Sequence, residues 1–204
     1  MAEPAEQIHR RALDAAGPAG RLPAPPVQEW DIFPWEAIGS RVVPKALQPP
    51  VDAEAPRRGE DGPDDCFLCG GGATPVWEND RWVLTRPEGP TGLPLVLWLN
   101  AKEHLDFADM DDSLAAEFGV LTVRLVRAME AVENVGRVHV NRWGDGSAHL
   151  HTWFVARPAR LPQLLGSYLV EWDDILPPGP ADAWLADCAA VGRELAAWSG
   201  RAHA

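Results

Sequence analysis

Two segments of the chain have the apolar periodicity of amphipathic helices. In the first, apolar residues recur at spacings of three and four, as on the buried face of a helix: Leu114, Phe118, Leu121, Leu125, Met129 and Val132. Asp111, Asp112 and Ser113 come just before this stripe and are typical N-cap residues. The second helix is predicted from Ala181 to about Trp198, after a proline-rich turn.

Alternating or continuous apolar runs predict five strands. In residues 76–85, two β-forming runs flank Asn79-Asp80, which is typical of a hairpin. Residues 93–99 are nearly all apolar and predict a strand buried on both faces. Residues 137–141 and 149–154 alternate with a period of two and predict two more strands. The order of elements predicts an α+β fold, with a largely antiparallel sheet, one long helix packed on it and a C-terminal helix.

The composition divides the chain into three parts. Residues 1–63 are rich in Pro, Ala and Glu, and predict a partly ordered N-terminal arm. Residues 64–160 form the predicted core, and residues 161–204 a C-terminal strand and helix extension that packs on it. Within the arm, the segment from Trp30 to Trp35 is too apolar for a free linker, so we expect it to dock on the core or on a second subunit.

The charge of the chain limits its partners. A formal charge of -12 gives no basic face for a nucleic acid polymer. A small phosphate-bearing ligand is still compatible, because backbone N–H groups can hold phosphate locally. The N-terminus lacks the apolar stretch of a signal peptide, and no run reaches the ~18–20 apolar residues that span a bilayer. We therefore expect a cytoplasmic protein that does not associate with a membrane.

Two of the three cysteines form the motif Cys66-Phe67-Leu68-Cys69. A thiolate pair at this spacing can bind one tetrahedral Zn²⁺ from a single tight turn. The alternative is a thioredoxin-type redox pair, which requires the motif at the start of a helix, whereas here three glycines follow. The context therefore favours a metal over a redox role. Cys188, alone in a predicted helix, is interpreted as a packing or surface residue.

Four of the six histidines lie in or beside predicted strands: His104, His139, His149 and His151. His104 follows the buried strand, and His149 and His151 are two residues apart on one predicted strand, so they share a face. A lone strand histidine is more often a hydrogen-bonded packing residue than a ligand. Two histidines on one face, together with the cysteine pair, favour a site.

The motifs in their order along the chain resemble the histidine-triad superfamily. Its members typically have a Cys-x-x-Cys start, a Pro-Lys-x-His segment, and a glycine-containing loop before a His-x-His-x-His strand closed by an arginine. The matching motifs here, between Asp64 and about Pro158, are Cys66-x-x-Cys69, Lys102-x-His104, and Gly144-Asp145-Gly146-Ser147-Ala148-His149-Leu150-His151-Thr152-Trp153-Phe154-Val155-Ala156-Arg157.

The resemblance implies a histidine-triad-like fold and a division of roles. In zinc-containing members such as galactose-1-phosphate uridylyltransferase and the diadenosine polyphosphate hydrolases, four matching residues bind zinc; here they are Cys66, Cys69, His104 and His149. A zinc ion with four protein ligands would be structural. The middle histidine of the triad is the family's nucleophile, which attacks the α-phosphorus of a nucleotide, and that position is His151.

The resemblance also implies the ligand and its contacts. We expect a small nucleotide or nucleoside polyphosphate, handled by a hydrolase or nucleotidyltransferase through a covalent nucleotidyl-histidine intermediate. The candidate substrate-binding residues are Asn141, Gly146, Ser147 and Trp153. Family members are commonly homodimers, so the resemblance is compatible with a homodimer, although the long N-terminal arm could change that.

Three departures from the family pattern leave an alternative open. Trp153 occupies the third triad position, where its indole can donate a hydrogen bond but cannot shuttle a proton. Ala101 replaces the usual proline of the Lys-x-His segment, and Leu93-Pro94 stands where many members have Gly-His. The alternative is a catalytically inactive histidine-triad-like zinc protein that binds a nucleotide or a protein partner. Its contact residues would then be tryptophans, which otherwise pack in the core: Trp30, Trp35, Trp143 and Trp172.

Overall fold

The structure, a computed structural model, describes residues 2–25 and 32–203. The helices of this part are α1 (Ala5–Ala15), α2 (Asp112–Glu130), α3 (Leu169–Ile175) and α4 (Ala181–Ala196). The strands are β1 (Trp35–Ile38), β2 (Arg41–Pro44), β3 (Thr74–Glu78), β4 (Trp82–Arg86), β5 (Leu95–Ala101), β6 (Val135–Asn141), β7 (His151–Pro158) and β8 (Arg201–Ala202).

Six strands form one antiparallel sheet in the order β6-β7-β5-β4-β3-β8, and β1 and β2 form a separate hairpin. The predicted α+β fold, with its largely antiparallel sheet, long helix and C-terminal helix, is confirmed. Of the helices in the described ranges, none combines the length and apolar character needed to cross a membrane.

Local signals explain the β3–β4 hairpin and the long helix α2. Asn79 Oδ1 accepts hydrogen bonds from the backbone N–H groups of Arg81 and Trp82 at 2.9 and 2.7 Å, which closes the β3–β4 turn. Asp111 caps α2, because its side chain accepts a hydrogen bond from Leu114 N at 2.7 Å. Both features agree with the sequence prediction.

β5 lies between two apolar layers. Leu95, Leu97 and Leu99 are buried in the larger core, between the sheet and the helices α2 and α4. Val96 faces the opposite way, into a smaller cluster with Leu164 and other residues from the segment before and within α3. Each fully buried leucine or valine stabilises the fold by about 1.5–3 kcal/mol. This two-sided burial confirms the prediction made from the apolar run.

The N-terminal arm contains a docked helix that the composition did not predict. Ile8 on α1 is 1% exposed, and Asn134 Nδ2 donates a hydrogen bond to Ala2 O at 2.8 Å. Arg11 pairs with Glu3 at 2.7 Å. The burial of Ile8, the hydrogen bond from Asn134 and the ion pair with Glu3 stabilise α1, although its segment carries few apolar residues. In the predicted docking segment, Trp35 lies on β1 and is 38% exposed, whereas Trp30 lies outside the described residues.

The strand that carries the predicted nucleophile begins later than expected. The sequence placed His149 and His151 on one face of a strand, but β7 starts at His151. His149 lies in the irregular segment before it, where the alternation of strand side chains does not hold. Its ring is buried toward Cys66, while His151 borders a cleft on the surface.

Candidate metal centre and active-site cleft

Four potential metal ligands converge at the end of the sheet where β5 ends and β7 begins. Asn100 of β5 pairs with His151 of β7, so His104, just after β5, comes close to His149, just before β7. The cysteines lie in the turn that follows a 3₁₀ helix at Pro63–Asp65. The ligand atoms of Cys66, Cys69, His104 and His149 all lie within 4.8 Å of one another.

The distances between these atoms fit a tetrahedral metal ion. Cys66 Sγ lies 3.3 Å from His149 Nδ1. Cys69 Sγ lies 3.4 Å from His104 Nδ1 and 3.6 Å from His149 Nδ1. Ordinary zinc bond lengths at a tetrahedral angle would separate a sulfur and a nitrogen by about 3.6 Å. The cluster could therefore hold one metal ion with two sulfur and two nitrogen ligands.

Backbone carbonyls set the tautomers of both histidines in the cluster. His149 Nε2 lies 2.8 Å from Ala101 O, and His104 Nε2 lies 3.0 Å from Gly59 O. Because a carbonyl oxygen can only accept, each Nε2 carries the ring proton and each Nδ1 presents its lone pair to the cluster. Burial lowers the pKa of His149, which favours the neutral form that a metal requires.

The thiol of Cys69 responds to the same crowding. Partial burial, followed by hydrogen bonding and charge interaction with Cys66, raises the pKa of Cys69 to about 11. The residue as a whole is exposed, and the neighbouring sulfur of Cys66 raises the pKa together with the desolvation of the thiol. A bound cation would reverse this shift, because a coordinating thiol is deprotonated.

Ion pairs tie the loops around the cluster to one another. Arg57 Nη1 lies 2.7 Å from Asp106 Oδ2 and donates to Gly144 O at 3.0 Å. Arg142 also pairs with Asp106. Partial burial works against the charge of Asp106, but hydrogen bonds from Arg57, Phe107 N and Arg142 outweigh it and lower the pKa of this carboxyl. The segments around residues 57, 106 and 144 are thus fixed relative to the candidate ligands.

The surroundings of the two cysteines differ from those of a thioredoxin-type pair. A turn and then β3 follow Cys69, where the redox alternative requires a helix. Both cysteines are free thiols that face the two histidines. This geometry favours the metal over the redox interpretation.

His151 borders a cleft of about 690 Å³. Its Nδ1 lies 2.7 Å from His149 O. Beside it, Asn100 is buried and donates to Thr85 Oγ1 at 2.9 Å. The cleft is lined by residues from the arm, from the turn at the cysteines and the start of β3, from β4 and the loop after it, from β5, and from the loop before β7 and its first residue: Arg58, Phe67, Leu68, Gly72, Ala73, Thr74, Thr85, Arg86, Pro87, Glu88, Trp98, Asn100, Gly146, Ser147 and His151.

The structure brings together some of the predicted substrate-binding residues. Gly146 and Ser147 line the cleft with His151, and Ser147 Oγ accepts a hydrogen bond from His149 N at 3.3 Å. Asn141 and Trp153 are not among the lining residues. They are paired across β6 and β7.

Trp153 belongs to an aromatic cluster. Its ring centroid lies 5.0 Å from that of Trp98 and 5.5 Å from that of Trp143, edge to face in both cases. Its Nε1 is buried and has no hydrogen-bond partner among the residues that the structure describes. The indole at the third triad position therefore packs beside Trp98, which is one of the residues that line the cleft.

Several cleft residues were missed in the sequence. Trp98 and Asn100 could have been found, because they alternate on β5 and share the face of Thr85 and His151 across the paired strands. Phe67, between the two cysteines, lies on the cleft because of the metal-site turn. Arg58 had no local signal, because a long-range contact with Ser147 brings it here.

Comparisons with known proteins found similarity to solved structures, at low sequence identity. No model of a known protein family matches the sequence, and a search of curated proteins found no similar one. Among solved structures, one similar protein is a zinc-bound histidine triad family protein from Mycobacterium smegmatis, with 18% identity over 67% of this chain and 99% of that one, at a TM-score of 0.48.

Two others are a hypothetical histidine triad nucleotide-binding protein from Sulfolobus tokodaii and a histidine triad protein from Marinobacter aquaeolei. The first has 11% identity over 65% of this chain and 91% of that one, at a TM-score of 0.47. The second has 12% identity over 64% of this chain and 93% of that one, at a TM-score of 0.49. All three of these solved structures are described as histidine triad proteins.

Proposed function

We propose that the chain is a nucleotide-binding, histidine-triad-like hydrolase or nucleotidyltransferase in which His151 forms a covalent nucleotidyl intermediate. The observation that carries this proposal is the 2.7 Å contact between His151 Nδ1 and His149 O. Because the carbonyl can only accept, Nδ1 carries the ring proton and Nε2 keeps a lone pair. A neutral imidazole held in one tautomer is a competent nucleophile near neutral pH, and this one borders the cleft beside Ser147.

The proposed reaction has two displacements at the α-phosphorus. Nε2 of His151 first forms a P–N bond, while the P–O bond to the leaving group breaks and its electron pair leaves with the oxygen, which takes a proton from solvent. An oxygen of water or of a sugar phosphate then forms the new P–O bond and releases any proton that it carries. The P–N bond breaks and its electrons return to Nε2. Gly146 and Ser147 are the proposed contacts for the phosphate.

We propose zinc as the metal of the candidate centre. Cys66, Cys69, His104 and His149 would hold it, and two thiolates with two neutral imidazoles are a common structural zinc set. A zinc ion with four protein ligands leaves no position for a substrate. Its role would be structural, because it would hold the segments that carry the four ligands together. The residues around it keep His149 O in place, and this oxygen orients the ring of His151.

The test is to trap the adduct on the full-length chain. The wild-type protein is incubated with α-labelled ATP or diadenosine tetraphosphate and quenched in alkali, because a P–N bond to imidazole breaks in acid. We expect one nucleotidyl group on His151, none in His151→Ala, and an unchanged yield in His9→Ala, a matched control at an exposed site. Zinc should stay bound in His151→Ala and decrease in Cys69→Ser. No adduct and no turnover with either nucleotide would overturn the covalent mechanism.

One observation favours a second candidate, a module that binds a nucleotide without turnover. Trp153 packs against Trp98 and Trp143 at the third triad position, where it cannot transfer a proton. This candidate predicts nucleotide binding by calorimetry with no adduct in the wild-type chain. An adduct that forms in the wild-type chain would exclude it. A homodimer and a cytoplasmic location stay predictions.

A further inference from the structure

Arg58 is held by its backbone against the loop that leads to His151. Arg58 N donates to Gly146 O at 3.2 Å, and Ala148 N donates to Arg58 O at 2.9 Å. These bonds form a parallel bridge between Arg58 and Ser147. The position of Arg58 is therefore set by the same loop that provides the proposed phosphate contacts.

The two residues that flank Arg58 fix the segment from its other side. Gly59 O accepts a hydrogen bond from His104 Nε2 at 3.0 Å. The Arg57 guanidinium pairs with Asp106 and Glu60, at 2.7 and 2.5 Å. Arg57 and Gly59 thus contact the loops around the candidate metal centre, whereas Arg58 lines the cleft.

The charge of Arg58 is available to a ligand. Its side chain has no hydrogen bond or ion pair with any residue in the described ranges, and the residue is exposed at the border of the cleft. The other arginine of the cleft is engaged elsewhere, because the Arg86 guanidinium lies 4.8 Å above the ring of Trp184 and donates to Pro87 O at 3.0 Å. Arg58 is therefore the unengaged cation of the cleft as far as the structure describes it.

A local cation would strengthen the binding of an anionic ligand to this acidic protein. The formal charge of -12 repels phosphate, and the exposed carboxylate of Glu88 also borders the cleft. A guanidinium binds phosphate through paired, charge-assisted hydrogen bonds. On the basis of the proposed function, we propose that Arg58 is a substrate-binding residue that holds the phosphate of the nucleotide on the Ser147 side of the cleft, next to His151.

The test separates the phosphate from the rest of the ligand. Binding of AMP, adenosine and inorganic phosphate is measured by calorimetry on the full-length wild-type chain and on Arg58→Ala and Arg58→Lys. Arg41→Ala is the matched control, because Arg41 is an exposed arginine on the separate β1–β2 hairpin. The unfolding midpoint of each variant, which should stay unchanged for these exposed side chains, checks the fold.

We expect Arg58→Ala to weaken AMP binding by about 10- to 100-fold, as loss of a charge-assisted hydrogen bond does. Adenosine binding should not change, Arg58→Lys should lose less than Arg58→Ala, and Arg41→Ala should match the wild type. Equal losses for AMP and adenosine, an unchanged AMP affinity in Arg58→Ala, or a wild-type chain that binds neither AMP nor phosphate would overturn the role of Arg58.

The adduct measurement distinguishes this role from the proposed function. An Arg58-dependent affinity for AMP, with no adduct on His151 and no turnover of either nucleotide, would support the phosphate site and overturn the covalent step. An adduct that forms at the same nucleotide concentration in the wild type and in Arg58→Ala would support the covalent step and overturn the role of Arg58.

Discussion

Replacing Gly59 with alanine tests how the candidate metal centre is held from outside its ligand set. Gly59 has a φ of 75°, and a Cβ at this position would lie 3.0 Å from His104 Cε1 and 3.3 Å from Cys66 Cβ. Its carbonyl also accepts the hydrogen bond that sets the tautomer of His104. The substitution therefore strains the backbone and displaces two of the four ligand residues.

Two contributions set the expected magnitude. A side chain in the left-handed region costs about 1–2 kcal/mol. Disturbing the outer partner of a metal ligand typically lowers metal affinity by about 10- to 100-fold, which corresponds to about 1.4–2.8 kcal/mol. With saturating zinc, we expect Gly59→Ala to lower the free energy of unfolding by about 2–5 kcal/mol in all.

Gly71 provides a matched control. Its φ is 76°, but a Cβ there would have no atom within 4 Å. Gly71→Ala should therefore show the backbone cost alone and keep the zinc affinity of the wild type. Zinc affinity is measured by competition with a chromophoric chelator, and stability by urea unfolding with zinc present. Equal zinc affinities in Gly59→Ala and Gly71→Ala would refute the reasoning.

Two further predictions concern the stability of the sheet. Hydrogen bonds from Lys102 and Arg201 lower the pKa of Glu78 to about 2, so its stabilising contribution is complete above pH 4.5 and is lost as the pH falls toward 2. Urea midpoints should therefore fall more steeply in this range for the wild type than for Glu78→Gln, and parallel curves would contradict the assignment. Phe154 is fully buried, so Phe154→Ala should lower the free energy of unfolding by about 3–5 kcal/mol in a urea titration, and a loss below 1 kcal/mol would contradict its place in the core.

Local signals in the sequence were enough to predict the central elements of the fold. The turn at Asn79 and the cap at Asp111 depend on hydrogen bonds between residues at most three positions apart. The sequence can therefore predict them without knowledge of the tertiary structure. α1 depends instead on contacts with residues that are distant in sequence, such as the hydrogen bond from Asn134 to Ala2. No periodic pattern within the arm could reveal that contact.

The candidate site also contains residues that the sequence could predict and others that it could not. The spacing of Cys66 and Cys69 and the family resemblance were sufficient to propose four ligands, and those four side chains do converge. The surroundings of His151 were less accessible, because β7 begins at this residue and its neighbours in the cleft come from other strands and from the arm. Arg58 is the clearest example, since only its bridge to Ser147 brings it to the cleft.

The burial of β5 on both faces has a consequence for how this strand finds its partners. When one face of a strand is exposed to solvent, a register shift by one residue is unfavourable because its buried apolar side chains move into solvent. On β5 such a slip would exchange one apolar layer for the other, so this penalty is weaker. Asn100 supplies the missing discrimination, because its amide donates to Thr85 Oγ1 and Val83 O in the observed pairing. In a strand shifted by one residue, its polar amide would be buried in the leucine-rich layer without these partners. Asn100 therefore favours the observed register of β5.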